Sequence, residues 1–164
     1  MIARYGSLAG FLLIVIAASA ISGMFDAGEW YYEKLNKPFL WPPGWLTSLV
    51  WALVYLLMAL AAWYVWLSGH LSRKGALIWW GFLLVLNIAW SFLFFGIHRI
   101  GWAWLLLGVT IIVALLSVRA FRLISVQASN LLMPYLGWIA LLWILNFVIW
   151  TKNGGIFIYM FYGS

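Results

Sequence analysis

Few side chains in this sequence have the chemistry of an active site. The chain has no cysteine, so it can form no disulfide, no thiolate nucleophile and no cysteine-ligated metal centre. Its two histidines, His70 and His98, are separated by an apolar run long enough to cross a membrane, so they would not share a metal ion within one chain. We find no nucleophile with a matching base, no pair of carboxylates and no glycine-rich phosphate loop. The sequence therefore supports neither acid/base nor metal catalysis.

Tryptophan is the residue type that stands out, with 14 in the chain. An indole offers a large stacking surface and one N–H donor, which suits both interfacial anchoring and ligand binding. Three sets of residues recur at helical spacing, and two of them contain an asparagine: Trp51, Tyr55 and Met58; Asn87, Trp90, Ser91 and Phe94; Trp138, Leu142, Leu145, Asn146 and Ile149. Such stripes can line a cavity for a large flat apolar ligand, or they can pack helix against helix. The spacing alone favours packing.

The elements that carry these stripes are apolar runs typical of membrane helices. Apolar residues make up 68% of the chain and charged residues 7%, whereas a soluble domain has about 25% charged residues. Each run has about 20 residues and so spans about 30 Å as a helix. We predict an all-α integral membrane protein of one domain, residues 1–164, with a long Pro/Trp-rich first loop and helices at about 6–25, 45–67, 75–95, 102–121 and 131–151.

The first run has a second interpretation. Arg4, the apolar stretch after it and the small residues Ala18, Ser19 and Ala20 imitate a secretory signal with a cleavage site. Removal of that segment would leave four helices. We interpret the run as the first spanning helix, and sequencing of the mature N-terminus would test this.

The charges bear on orientation and partners. Arg4, Arg73, Lys74, Arg119 and Arg122 would lie on one side, and Lys34, Lys37, Arg99 and Lys152 on the other. Five against four predicts a cytoplasmic N-terminus, with Asp26, Glu29 and Glu33 outside. Basic residues scattered singly between apolar runs do not suggest nucleic-acid binding. No ionisable residue lies near the middle of a run, which argues against a proton-coupled transporter.

Three segments carry a family resemblance over nearly the whole chain, in order and at the expected spacing. They read EWYYEKLNKPFLWPPGWLTSLVWALVYLLMALAAWYVW (29–66), LNIAWSFLFFG (86–96) and PYLGWIALLWILNFVIWTKN (134–153). The chain resembles the translocator protein family, also called TspO/MBR, peripheral benzodiazepine receptors or tryptophan-rich sensory proteins, in its bacterial form. The resemblance implies a five-helix bundle in a bacterial membrane, often dimeric, with one pocket under the first loop.

The resemblance also implies ligands and site residues. Family ligands are porphyrins such as protoporphyrin IX and haem, sterols, and benzodiazepine-type and isoquinoline carboxamide drugs. No metal and no cofactor is implied, since porphyrin or haem would be a ligand. With the resemblance, we favour a pocket over packing for the aromatic stripes. The residues carried over by motif are Trp51, Tyr55, Asn87, Trp90, Trp102, Trp138, Leu142 and Asn146 for the pocket, and Trp30, Pro42, Pro43 and Trp45 for its lid.

Three departures from the family pattern limit what the resemblance implies. Leu142 replaces a small residue, which narrows the expected pocket. Phe147 replaces the tyrosine of a proposed sterol motif, and such motifs are weak even when complete, so we predict no cholesterol specificity. Phe92 replaces a proline found in many relatives, which predicts a straighter third helix.

Three functions fit the sequence. The first is a membrane receptor or binding protein for tetrapyrroles and similar apolar ligands, with a sensory or transport role. The second, which the resemblance implies, is an enzyme that degrades protoporphyrin IX in light, with the oxidisable Trp51 and Trp138 beside the excited porphyrin. The third is a passive carrier of hydrophobic ligands, because the absence of buried charge disfavours only ion-coupled transport. A homodimer is a further expectation, since small residues such as Ala59, Ala61 and Ala62 would suit helix association.

Overall fold

The structure is a computed structural model and describes residues 2–25, 28–39 and 41–153. At residues 2–4 it describes the helical backbone, and side chains are described from residue 5 onward. It has five long helices: α1 Ile2–Gly23, α2 Gly44–Leu67, α3 Arg73–Ser91, α4 Ile100–Arg122 and α5 Val126–Lys152. Two short π-helical turns accompany them, Trp30–Lys34 in the first loop and Phe92–Gly96 at the end of α3. Asp26, one of the predicted external acids, lies outside the described residues.

All five predicted spans correspond to helices. Within the described residues, five helical segments are long and apolar enough to cross a membrane, and the third of them includes the π turn 92–96. This confirms the predicted all-α membrane fold. The largest difference in boundaries is at α5, which begins at Val126 rather than at residue 131. Ser125 caps this helix, because its Oγ accepts a hydrogen bond from the Ala128 amide at 3.2 Å. The polar segment before residue 131 is therefore the first turn of a helix and not a loop.

The helices form a closed ring in the order α1, α2, α5, α4, α3, and α3 returns to α1. Side chains of all five point inward, and Met58, Leu83, Leu107 and Ile139 are completely buried. Ala59, Ala61 and Ala62 are also completely buried within the chain. These alanines therefore pack inside the single chain and are not on a surface that could contact a second copy. The homodimer itself stays a prediction.

The end of the third helix departs from α geometry. The Ile97 amide donates to the Phe92 carbonyl at 3.0 Å, five residues back, which is the π-helical pattern. Gly96 permits this turn, because a Cβ there would meet the rings of Phe92 and Phe25 at 3.1 and 3.2 Å. The regular helix thus ends at Ser91 although no proline interrupts it. The wide turn presents Phe94 and Phe95 to the region below the first loop.

Candidate functional site

A cavity of about 350 Å³ lies between α1, α2 and α3, beneath the first loop, residues 24–43. Its volume is at the lower end of the range of roughly 300–1,000 Å³ found for ligand pockets. Helix α5 contributes Leu142. The lining residues are Ser19, Ser22, Gly23, Phe25, Tyr31, Trp41, Thr47, Ser48, Trp51, Ala52, Tyr55, Asn87, Trp90, Ser91, Phe95 and Leu142.

Aromatic rings form one wall of this cavity. Trp51 of α2 and Trp90 of α3 face each other with ring centroids 6.3 Å apart. Tyr55 lies 5.4 Å from Trp51, one helical turn below it. Phe94 stacks on the far side of Trp90 at 5.5 Å. The two indoles are thus held by neighbouring rings, and a flat apolar ligand would meet an ordered surface.

Asn87 brings a polar group to this apolar wall. The completely buried Tyr135 of α5 donates a hydrogen bond from its hydroxyl to Asn87 Oδ1 at 2.9 Å. The Asn87 amide nitrogen and Trp90 Nε1 are buried and have no partner at full hydrogen-bond geometry among the described residues, although the Tyr55 hydroxyl lies close enough to Asn87 to interact with it. Buried donors are normally paired, so two unpaired donors beside a cavity are suited to a ligand that carries an acceptor.

The α1 side of the cavity is polar. Ser91 of α3 donates to the backbone carbonyl of Ser22 at 2.9 Å, which ties α3 to the end of α1. Ser22 Oγ is buried and lies near the Tyr55 hydroxyl, without a partner at full hydrogen-bond geometry among the described residues. Ser19 lies one turn earlier on the same helix, and Ser48 faces the cavity from α2. The cavity therefore has an aromatic side and a hydroxyl-rich side.

Tyr31 and Trp41 close the cavity from the first loop. The Trp41 indole N–H donates to the Tyr31 hydroxyl. Lys37 donates from Nζ to the Tyr31 carbonyl at 2.8 Å and lies 4.1 Å above the Tyr31 ring. Burial raises the pKa of the Tyr31 phenol, although the hydrogen bond from Trp41 acts in the opposite direction. Tyr31 is therefore neutral at physiological pH.

The predicted lid residues take other positions in the loop. Trp30 stacks on His98 with ring centroids 4.0 Å apart, which joins the loop to the turn before α4. Pro42 is half-buried, Pro43 is exposed and Trp45 is 70% exposed. Neither these three nor Trp30 line the cavity. In the stretch KPFLWPPGW, Trp41 is the residue that reaches it.

The structure brings together five of the eight predicted pocket residues, namely Trp51, Tyr55, Asn87, Trp90 and Leu142. Trp138 is buried behind Trp51 and meets it edge-on at 6.2 Å.

The other two predicted residues, Asn146 and Trp102, do not line the cavity either. Asn146 is completely buried, and neither polar atom of its side chain has a partner among the described residues. Trp102 is 47% exposed at the start of α4 and does not line the cavity.

The sequence reasoning missed the contribution of α1. Ser19 and Ser22 are spaced three residues apart in an otherwise apolar run, so they lie on one helix face. The same signal exists in α2, where Ser48, Trp51 and Tyr55 share a face. Polar residues at helical spacing inside an apolar run were the sign that these faces line a cavity rather than contact lipid.

Among the residues that the structure describes, none that lines the cavity is charged. The part of the chain that the structure describes also holds no group of three or more His, Asp or Glu residues placed to bind a metal ion. His70 lies in the turn between α2 and α3, where its Nδ1 accepts from the Ser72 amide at 3.1 Å. The geometry can thus bind and orient an apolar ligand with a few polar groups, and it shows no acid/base apparatus.

Comparison with known proteins gives one consistent result. The human translocator protein is 34% identical over 152 residues, which is 89% of each chain. The tryptophan-rich protein TspO of Archaeoglobus fulgidus is 32% identical over 152 residues, which is 89% of this chain and 96% of the relative. The tryptophan-rich sensory protein of Cereibacter sphaeroides is 33% identical over 138 residues, 84% of this chain and 85% of the relative. The TspO/MBR family description matches residues 11–151, and the chain belongs to that family.

Proposed function

We propose that this protein is a membrane receptor for tetrapyrroles, such as protoporphyrin IX and haem, and for similar apolar ligands. Sterols and benzodiazepine-type drugs belong to the same chemical class of large, flat, mostly apolar molecules. The observation that supports this proposal is the cavity beneath the first loop, which is lined by two indoles, Trp51 and Trp90, and by the amide of Asn87. The names of the relatives, translocator and tryptophan-rich sensory protein, support a sensory or transport role for the bound state.

The physical basis of binding is stacking. A porphyrin ring would lie against Trp51 and Trp90, whose faces are tilted by 34° to each other. The Asn87 amide nitrogen would donate to an acceptor on the ligand. Lys37, next to the cavity through its bond to Tyr31, is the described cation best placed to meet a propionate at the loop. A macrocycle larger than the cavity would require the first loop to move outward as it binds.

Fluorescence titration of the purified protein with protoporphyrin IX tests this function. Saturable quenching of tryptophan emission is expected, and Trp51→Ala should weaken binding by about five- to 150-fold, since one stacked indole contributes about 1–3 kcal/mol. Trp102→Ala is the matched control, because it removes an indole that does not line the cavity. Equal affinity in the wild type and in Trp51→Ala would exclude the proposed site.

One observation favours the enzymatic alternative. Trp138 lies edge-on against Trp51 at 6.2 Å and is shielded from the cavity. A pair of contacting indoles could donate an electron to an excited porphyrin, which would pass it to molecular oxygen and form superoxide. The oxidised indole would then take an electron from the ring, and the porphyrin radical cation would combine with superoxide to give an oxygenated product. Illumination in air should then give one defined product, and Trp138→Phe should abolish that product while protoporphyrin IX still binds. Bleaching without a defined product, at the same rate in the variant, would contradict this alternative.

A further inference from the structure

We propose that Asn153 is a positioning residue that holds the first loop closed over the cavity. Two of its three side-chain hydrogen bonds join the end of α5 to the backbone of Asn36, and the third stays within α5. Asn153 Oδ1 accepts from the Asn36 amide at 2.8 Å, and Asn153 Nδ2 donates to the Asn36 carbonyl at 3.0 Å. The same Nδ2 donates to the Ile149 carbonyl of α5 at 2.7 Å. This inference deepens the proposed function, because it concerns access to the same cavity.

The geometry of this contact requires an asparagine side chain. One amide both donates to and accepts from the same residue of the loop, while its second N–H binds the last turn of its own helix. Aspartate could accept from Asn36 but would place a negative charge against two carbonyl oxygens. A shorter or apolar side chain could make none of the three bonds. Asn153 thus fixes the loop to the helix end by an arrangement that few substitutions preserve.

The two hydrogen bonds between Asn153 and Asn36, called the clamp below, act on the part of the loop that closes the cavity. Leu35, next to Asn36, is the buried apolar anchor of the loop. Lys37, on the other side of Asn36, binds the Tyr31 carbonyl at 2.8 Å. Tyr31 in turn accepts from Trp41, and both rings line the cavity. The bonds at Asn36 therefore set the position of the two loop residues that a ligand must pass.

Helix α5 contributes Leu142 to the cavity itself, and Asn153 is not a lining residue. Loss of the clamp should therefore change how fast the loop opens more than it changes the contacts of a bound ligand. In Asn153→Ala, we expect protoporphyrin IX to dissociate about tenfold faster, the effect of two lost neutral hydrogen bonds. Asn153→Asp should show at least the same acceleration, since it keeps the shape and loses the donors.

Thr151→Ala is the matched control. Thr151 lies in the same last turn of α5, and its hydroxyl donates to the Val148 carbonyl at 3.0 Å, within its own helix. This variant removes a hydrogen bond from the helix end without touching the loop. An equal acceleration in Thr151→Ala and Asn153→Ala would show that fraying of α5, and not the clamp, controls dissociation, and would overturn the proposal.

A second measurement needs no ligand. Hydrogen–deuterium exchange of peptides covering residues 28–39 should be faster in Asn153→Ala than in the wild type or in Thr151→Ala. The chain has no cysteine, so a disulfide in the double variant Asn36→Cys, Asn153→Cys should slow this exchange and a reductant should restore it. If protoporphyrin IX did not bind the wild type, the proposed function would be wrong, but the exchange measurement would still test whether Asn153 holds the loop. Unchanged exchange in Asn153→Ala would overturn the clamp.

Discussion

The hydrogen bond between Tyr135 and Asn87 allows a sharp test of how the cavity is built. Tyr135→Phe removes one oxygen from a completely buried side chain and leaves the ring in place. Asn87 Oδ1 then loses its 2.9 Å donor in a buried site. Because a buried acceptor without a partner costs about 1–3 kcal/mol, we expect the free energy of unfolding to fall by about that amount.

The same substitution should weaken ligand binding. The hydrogen bond from Tyr135 holds the Asn87 side chain with its oxygen toward Tyr135. The amide nitrogen then points the other way and can donate to an acceptor on the ligand. Without the bond from Tyr135 the amide can turn, and one neutral hydrogen bond to the ligand is worth about 0.5–1.5 kcal/mol. The affinity for protoporphyrin IX should therefore fall about two- to tenfold. Thermal unfolding in detergent and fluorescence titration measure the two effects separately.

A double substitution separates packing from binding. Asn87→Leu in the Tyr135→Phe background removes both polar partners, and such a pair of changes can be nearly neutral for stability. Stability should therefore recover while affinity stays low. Tyr64→Phe, at a tyrosine that is 43% exposed, is the control for loss of a hydroxyl. Wild-type stability and affinity in Tyr135→Phe would refute the reasoning, because they would show that this bond neither stabilises the bundle nor orients Asn87.

Three further changes probe the cavity wall, the loop and the ligand charge. Leu142→Ala should widen the cavity and raise affinity for bulky ligands relative to small ones in a competition assay, because Leu142 is 1% exposed and lines the cavity; equal changes for both would argue against a steric role. Replacement of WPPGW, residues 41–45, by a Gly/Ser linker should speed ligand dissociation while circular dichroism shows an intact bundle, since Trp41 is lost; an unchanged rate would show that this stretch is only an anchored turn. Lys37→Gln should weaken binding of protoporphyrin IX but not of its dimethyl ester, because only the free acid carries propionates for the cation; equal losses would show that Lys37 acts through the loop structure alone.

The helices of this protein could be predicted from its sequence because the bilayer restricts what can span it. Every backbone polar group within hydrocarbon must be paired inside the segment, so a 20-residue apolar run is a helix almost by necessity. The helix ends were harder to predict. The start of α5 depends on the Ser125 cap, and the π turn at 92–96 depends on Gly96 and on a ring contact with Phe25 of the first loop that local sequence does not reveal.

The candidate site could be predicted in part. Periodicity placed Trp51 and Tyr55 on one face and Asn87 and Trp90 on another, and the structure brings these faces together. The position of an aromatic residue along its helix does not predict whether its side chain lines the cavity or packs behind a residue that does. Trp138 and Asn146 share a face with Leu142, yet Leu142 is the α5 residue that lines the cavity. Such a distinction depends on the rotation and depth of each helix, which the packing of all five determines together.

The position of the cavity suggests which part of the protein moves when a ligand enters. The helices around it are held by buried side chains that extend through the bundle, whereas the first loop is held to the bundle by the buried Leu35, by ring contacts such as that of Trp30 with His98, and by the exposed hydrogen bonds of Asn153. Contacts at an exposed end open at lower free energy than a packed helix interface. Ligand entry through the loop therefore requires less disruption than entry between helices, and the residues that hold the loop should control exchange rates more than the residues that stack on the ligand.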